Sequence, residues 1–244
     1  MITIIARKEL GVLFGSPLAW VILALAQLVF AWFYLANLES FLQVQPQLIR
    51  IAHPPGATEA IAAPLFSIGA VVLLMITPLL TSRLIAEERR NHTLPFLISA
   101  PVSMTEIVLG KFLGLMTFLS AIIALIVALT VSLLAGGKLD FGLLLSNIAG
   151  LWLLSACFVA LGLYISCLST QPAIAGAAAL CILFALWIMD NAESGENGIT
   201  RSLSPFAHFE NFNRGMIDTF DLAYFALFIF FFLALSVRWL KLYR

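Results

Sequence analysis

Charge is what most constrains this chain, because five long stretches contain no Asp, Glu, Lys or Arg: residues 10–38, 60–82, 112–137, 141–189 and 222–237. A lone ionised side chain at the centre of a bilayer costs about 3 kcal/mol or more, and a spanning helix needs roughly 20 apolar residues. Four of the stretches therefore each supply one span, at about 17–36, 62–82, 107–135 and 221–240, the last becoming long enough when Arg238 snorkels. The stretch from 141 to 189 would extend on the order of 74 Å as one helix, far more than a bilayer's ~30 Å. It must reverse, and Ser169-Thr170-Gln171-Pro172 is its only polar break with a proline near the middle. Two spans, about 143–168 and 172–190, meet there in a hairpin. The expected fold is all-α: a polytopic membrane protein with six transmembrane helices, forming a single transmembrane domain over residues 1–244.

Composition agrees, at 62% hydrophobic and 11% charged against roughly 45–50% and 25% for soluble domains. With 13 Lys and Arg against 13 Asp and Glu there is no basic excess for nucleic acid. Cys157, Cys167 and Cys181 lie inside apolar runs without CxxC spacing, so they read as packing residues.

The N-terminus does not read as a signal peptide, since Glu9 follows Arg7 and Lys8 and no A-x-A-like site closes a short apolar region. Residues 2–14 place Ile2, Ala6, Leu10 and Leu13 along one side and Thr3, Arg7 and Lys8 along another, which predicts an interfacial helix over 1–15. Ser16-Pro17 then opens the first span. Six spans put both termini on one side. That side carries nine basic residues, including Arg7, Lys8, Arg83, Arg89, Arg90 and Lys111, against Glu9, Glu87, Glu88 and Glu106, whereas the other holds four basic residues and nine acidic ones. The positive-inside rule places both termini in the cytoplasm.

The spans carry no acidic or histidine chain for proton relay and no nucleophile with a base in reach, so proton-coupled transport and intramembrane hydrolysis are disfavoured. His53, His92 and His208 fall in loops without paired-ligand spacing, and no metal site is expected. Gly110-Lys111-Phe112 and Gly137-Lys138-Leu139 both lack the hydroxyl that follows Gly-Lys in a P-loop. Nucleotide energy must enter through another protein.

Attention turns to the loop 83–106. Thr93 can cap a short helix whose first turn tolerates Pro95, and Pro101 ends it. Ser103-Met104-Thr105-Glu106 is a capping box, with Val102 and Ile107 as a hydrophobic staple, so the third span starts at a fixed angle. Gly110 and Gly114 offer a small-xxx-small spacing for close helix packing.

Glu87, Glu88, Arg89, Thr93, Leu97, Ser99, Pro101, Gly110 and Lys111 form a set that resembles the permease subunits of type-2 ABC exporters. His92 and Pro95 depart from the usual glycine and acidic residue, and residues 7–20 resemble the family's N-terminal interface helix running into the first span. The resemblance implies a cytoplasmic coupling helix, about 86–101, between spans two and three. There Glu87, Glu88, Arg89 and Arg90 would pair at the approach while Thr93, Leu94, Phe96, Leu97, Ser99 and Pro101 build the element that meets an ATPase. It also implies no catalytic residue or cofactor in this chain, with ATP and Mg bound by two copies of an ABC ATPase subunit. The remaining implied partners are a second permease copy making a homodimer, membrane lipid, and an extracytoplasmic or membrane auxiliary protein. The implied location is the bacterial inner (cytoplasmic) membrane.

The segment Ser204 to Tyr224 is similar to the outer loop of gliding-motility-associated permeases and of those in nitrous-oxide-reductase maturation systems. Phe206, Phe209 and Phe212 recur every third residue between polar ones, suggesting a short helix whose aromatic side dips into headgroups. Pro205, Phe206, His208, Phe209, Phe212 and Arg214 then serve either as a membrane-edge anchor or as an outer gate or docking surface. Two other function classes share these residues: a mechanotransmitting or scaffolding complex through which nothing crosses, and an ion-coupled carrier that needs no ATPase.

Overall fold

The computed structural model describes residues 1–48, 56, 58–91, 102–135, 139–192 and 203–242. Among them every regular element is helical. The α-helices are α1 (Ile2–Gly15), α2 (Pro17–Leu48), α3 (Ala63–Leu84), α4 (Ala86–Arg90), α5 (Met104–Ser132), α6 (Phe141–Leu168), α7 (Pro172–Ala192), α8 (Pro205–Asn213) and α9 (Thr219–Leu242). A π-helical turn, Thr58–Ala62, leads into α3, and a 3₁₀ turn, Leu133–Ala135, follows α5. Six stretches are long and apolar enough to cross a membrane: Pro17–Gln45, Thr58–Arg90, Met104–Ser132, Phe141–Leu168, Pro172–Asp190 and Thr219–Leu242. The protein is a multi-pass membrane protein.

Local sequence sets most of the boundaries. Ser103 accepts a hydrogen bond from the Glu106 amide while Glu106 reaches back to the Ser103 amide, a reciprocal cap that starts α5. Asp140 accepts from Gly142 and Leu143 at the start of α6. Between α6 and α7 the chain reverses over Ser169–Gln171, with the Ser169 hydroxyl bonded to both backbone groups of Gln171. α2 runs on for a dozen residues beyond Ala36, where its apolar stretch gives way to Asn37, Glu39 and Gln43.

Depth in the bundle is decided by which helices carry small residues. α6 is the centre, packed by α3, α5, α7, α8 and α9, and it is buried along most of its length. Gly162 lets α3 approach so closely that a Cβ there would overlap the Thr81 hydroxyl and lie 2.8 Å from Thr81 Cβ, and at Gly150 one would lie 2.5 Å from Phe212. Such contact is how helices gain packing energy where lipid removes the hydrophobic drive. α7 and α9 pack on this centre and α2 on α3 and α5, each of the three with few of its residues buried.

Candidate functional site

The approach to the expected coupling element is built at a break in the second span. Ile85 leaves helical geometry (φ −123°, ψ −40°), separating α3 from α4, and the interruption strands amides that a buried site must satisfy. Ser166 of α6 does so: its hydroxyl accepts from Ile85 N at 3.2 Å and Ala86 N at 3.1 Å, and donates to Ser82 O at 3.2 Å. One turn on, the Arg89 guanidinium donates to the Cys167 carbonyl at the C-terminus of α6, where helix geometry leaves carbonyls open and favours a cation.

On its other side α4 meets Lys111. This ammonium is 2% exposed and donates to Glu88 Oε1 and to Glu9 Oε1, both at 2.8 Å. One cation from α5 thus joins carboxylates of α1 and α4. The neighbouring glycines make the approach possible: a Cβ at Gly110 would lie 2.7 Å from Ile5, and one at Gly114 2.9 Å from Glu9 Cβ and 3.1 Å from Ala6 O. The small-xxx-small spacing serves the seating of α1 within the chain.

The four charges of α4 therefore divide by direction. Glu88 and Arg89 are partly buried and hold the helix in place, whereas Glu87 and Arg90 are exposed. Arg7 and Lys8 of α1 are exposed as well, beside the inward Glu9. Thr93, Leu94, Phe96, Leu97, Ser99 and Pro101, with the short helix expected over 93–100, lie outside the described residues. Ser166 carries no signal in the sequence, because the break it meets lies in another helix. The signal for Lys111 was a single cation in the first turns of an otherwise apolar span.

At the other end of the bundle, α8 corrects the expectation of an aromatic edge in the headgroups. Pro205, Phe206, His208, Phe209 and Phe212 are all buried within the protein, against α6, α7 and α9. The reason is polar satisfaction as much as apolar packing. Ser204 caps α8 by accepting from Phe206 N and also donates to Leu186 O. The Ser146 hydroxyl donates to Phe212 O at 2.7 Å, and the Asn147 amide, oriented with its nitrogen inward, donates to Phe212 O and Asn213 O at 3.1 Å each. Gly215, at φ +81°, closes the helix: its amide bonds Phe212 O and that of Met216 bonds Asn211 O. A short helix can sit inside a membrane bundle only when its ends are satisfied in this way.

His208 Nδ1 lies 2.6 Å from Asp221 Oδ1, Asn211 donates to Asp221 Oδ2 at 2.9 Å, and the imidazole stacks on Tyr224 with ring centroids 4.0 Å apart. These contacts tie α8 to the first turn of α9. Arg214 is exposed and paired with Glu210. Phe206, Phe209, Glu210, Asn213 and Arg214 line a cleft of about 1220 Å³ that also borders α3, Trp187 and Asp190. Among the described residues no cluster of His, Cys, Asp and Glu suits a metal ion.

No curated protein matches this sequence. The family described as "ABC-2 family transporter protein" matches residues 3–215, a range that takes in α1, the α3–α4 break, Lys111, the central α6 and the buried α8. With most of its length matched, the chain belongs to the ABC-2 family of transporter proteins and is the membrane-spanning permease component of an ABC transporter, of the kind that pairs with an ABC ATPase subunit.

Proposed function

We propose that this permease dimerises with a second copy of itself and passes the motion of two bound ATPase subunits through the segment 86–101, the ATPases holding all the ATP and Mg. Both termini would face the cytoplasm across a bacterial inner membrane. The observation that carries the reading is α4. It is a short helix clamped on one side by Ser166 and the Cys167 carbonyl and on the other by Lys111, and it still presents Glu87 and Arg90 outward. A helix so held can receive a push without being displaced alone. Within the family, the Ser204–Tyr224 resemblance points to the gliding-motility-associated and nitrous-oxide-reductase-maturation type. Phe206, Phe209 and Arg214 at the cleft would then act as an outer gate.

The test separates binding from coupling. Changing Phe96 and Leu97 together to Asp would bury unpaired charge in an ATPase groove, at a cost of several kcal/mol by order of magnitude, and should release the ATPase while the permease still inserts. Normal binding by that variant would remove 86–101 from the coupling role. ATP-analogue crosslinking at a saturable site on the isolated permease would overturn the assignment of nucleotide to the partner.

A second reading, in which hydrolysis moves an extracytoplasmic partner and nothing crosses, draws support from α2. Its helix continues past the apolar stretch as a polar extension with Leu42 and Val44 exposed, a surface that a partner could grip. Substrate-stimulated hydrolysis in vesicles distinguishes the two.

A further inference from the structure

We infer that Thr77 and Pro78 form a hinge in α3, between a half that leads to α4 and is fixed to the bundle and a half that lines the cleft and can swing. Pro78 lies inside α3 and brings no backbone N–H, so the Leu74 carbonyl is left without its helical donor. Hydroxyls in a spanning helix ordinarily bond the turn before them, and Ser67, Thr81, Thr117, Ser120 and Thr130 each donate to the carbonyl four residues back. Thr77 does not. It is 0% exposed, and its Oγ1 has no hydrogen-bond partner among the described residues, although Leu74 is only three residues away along the helix.

Two orphaned groups on one turn give the helix a second geometry. A buried hydroxyl without a partner is costly, and donating to Leu74 O would satisfy both it and the open carbonyl while changing the bend of the helix there. The contacts on either side decide which half moves. Toward α4, a Cβ on Gly162 of α6 would lie 2.8 Å from Thr81 Cβ, and one on Gly176 of α7 3.2 Å from Ser82 Cβ, so two helices hold this half at backbone distance. Toward the cleft, Gly69 meets only the ends of the Ile126 and Leu151 side chains, which can give. Ala63, Ser67 and Ile68 of that half line the cleft, and the Asn213 amide of α8 donates to Ala63 O and Ser67 Oγ. Rotating the Thr77 hydroxyl onto Leu74 O therefore changes the width of the cleft between α3 and α8. Thr77 is a positioning residue: it acts on the cleft through the bend of α3 and does not line it.

The test uses the full chain with spin labels at Glu59→Cys, ahead of α3, and Ile188→Cys on α7, both exposed positions. A control pair sits at Arg83→Cys and Leu168→Cys, on the fixed side of the hinge, with exposed Cys181 changed to Ala throughout. In the isolated permease the distance between labels 59 and 188 should show two populations. Thr77→Val keeps the shape but withdraws the bond to Leu74 O, and should shift their ratio roughly tenfold toward the geometry in which Thr77 is unpaired, whereas Thr77→Ser should retain both. Pro78→Ala restores an N–H for Leu74 O and should leave one population. The control distance should stay the same in every variant. A single population in the wild type, or an unchanged ratio in Thr77→Val, overturns the hinge, and the second result stands even where Pro78→Ala fails to fold. A hydroxyl that served stability alone would move the thermal midpoint and leave the ratio where it was. A control distance that shifts along with the first places the motion elsewhere and overturns the hinge too. No ATPase takes part in these measurements, so coupling through 86–101 stands or falls separately.

Discussion

At Gly162 a single added methyl group would collide with the Thr81 hydroxyl and side chain, in the centre of the bundle where neither helix can retreat. Gly162→Ala should cost about 1–3 kcal/mol, as overpacked cores do, and lower the thermal midpoint in detergent. Gly11 of α1 meets nothing within 4 Å, so Gly11→Ala should raise stability by about 1 kcal/mol through helix propensity alone. Measuring both by thermal unfolding checks the placement of α6 against α3: equal effects would contradict it. At this scale Ser166 and Lys111 show why identity alone does not announce a role. A serine in an apolar helix most often bonds its own preceding turn, as Ser120 does to Met116 O. Ser166 instead meets a break in another helix that only the packing brings near.

Two short elements, α4 and α8, carry the features that distinguish this bundle from a plain set of spans. For α8, buried Phe212 should behave as a core residue: Phe212→Ala is expected to cost about 3–5 kcal/mol, while exposed Phe220→Ala costs about 0.5 or less. A helix lying in the headgroups would give both changes the same small effect on unfolding. For α4, the outward and inward charges should separate by assay. Exchanging Glu87 and Arg90 by the double change Glu87→Arg, Arg90→Glu should weaken ATPase binding and its salt dependence while leaving the permease's thermal midpoint alone. Arg89→Ala, by opening the bond to Cys167 O, should lower that midpoint by an amount corresponding to about 1–3 kcal/mol. A loss of ATPase binding confined to Arg89→Ala would reverse the assignment.

For the whole molecule, the testable quantity is orientation. Cysteines introduced at Gln45 and Asn197 should react with an impermeant reagent from outside the cell, and those at Asn91 and Tyr243 only from the cytoplasm, because nine basic residues lie on the side of the termini. Outside labelling at Asn91 would remove the coupling element from reach of an ATPase. The arrangement itself, a buried α6 with α2, α7 and α9 as the least buried spans, leaves apolar surface on those outer helices for lipid or for a second copy.

The sequence by itself determined the number of crossings and the hairpin over Ser169–Gln171, because excluding charge from hydrocarbon is a one-dimensional constraint, readable from spacing. It also determined the reciprocal cap at Ser103–Glu106, which involves only neighbours in the chain, and the family resemblance carried by the loop after the second span. Only the tertiary structure decided that Phe206, Phe209 and Phe212 point into protein, since a short aromatic helix has the same period whether it lies in lipid or against α6. The partners that settle it, Ser146, Asn147 and Asp221, are remote in sequence or in a different helix. The same holds for Lys111, whose carboxylates lie 102 and 23 residues away. Spacing along one helix says where a charge can sit, but whether it is paired depends on which other helices close around it.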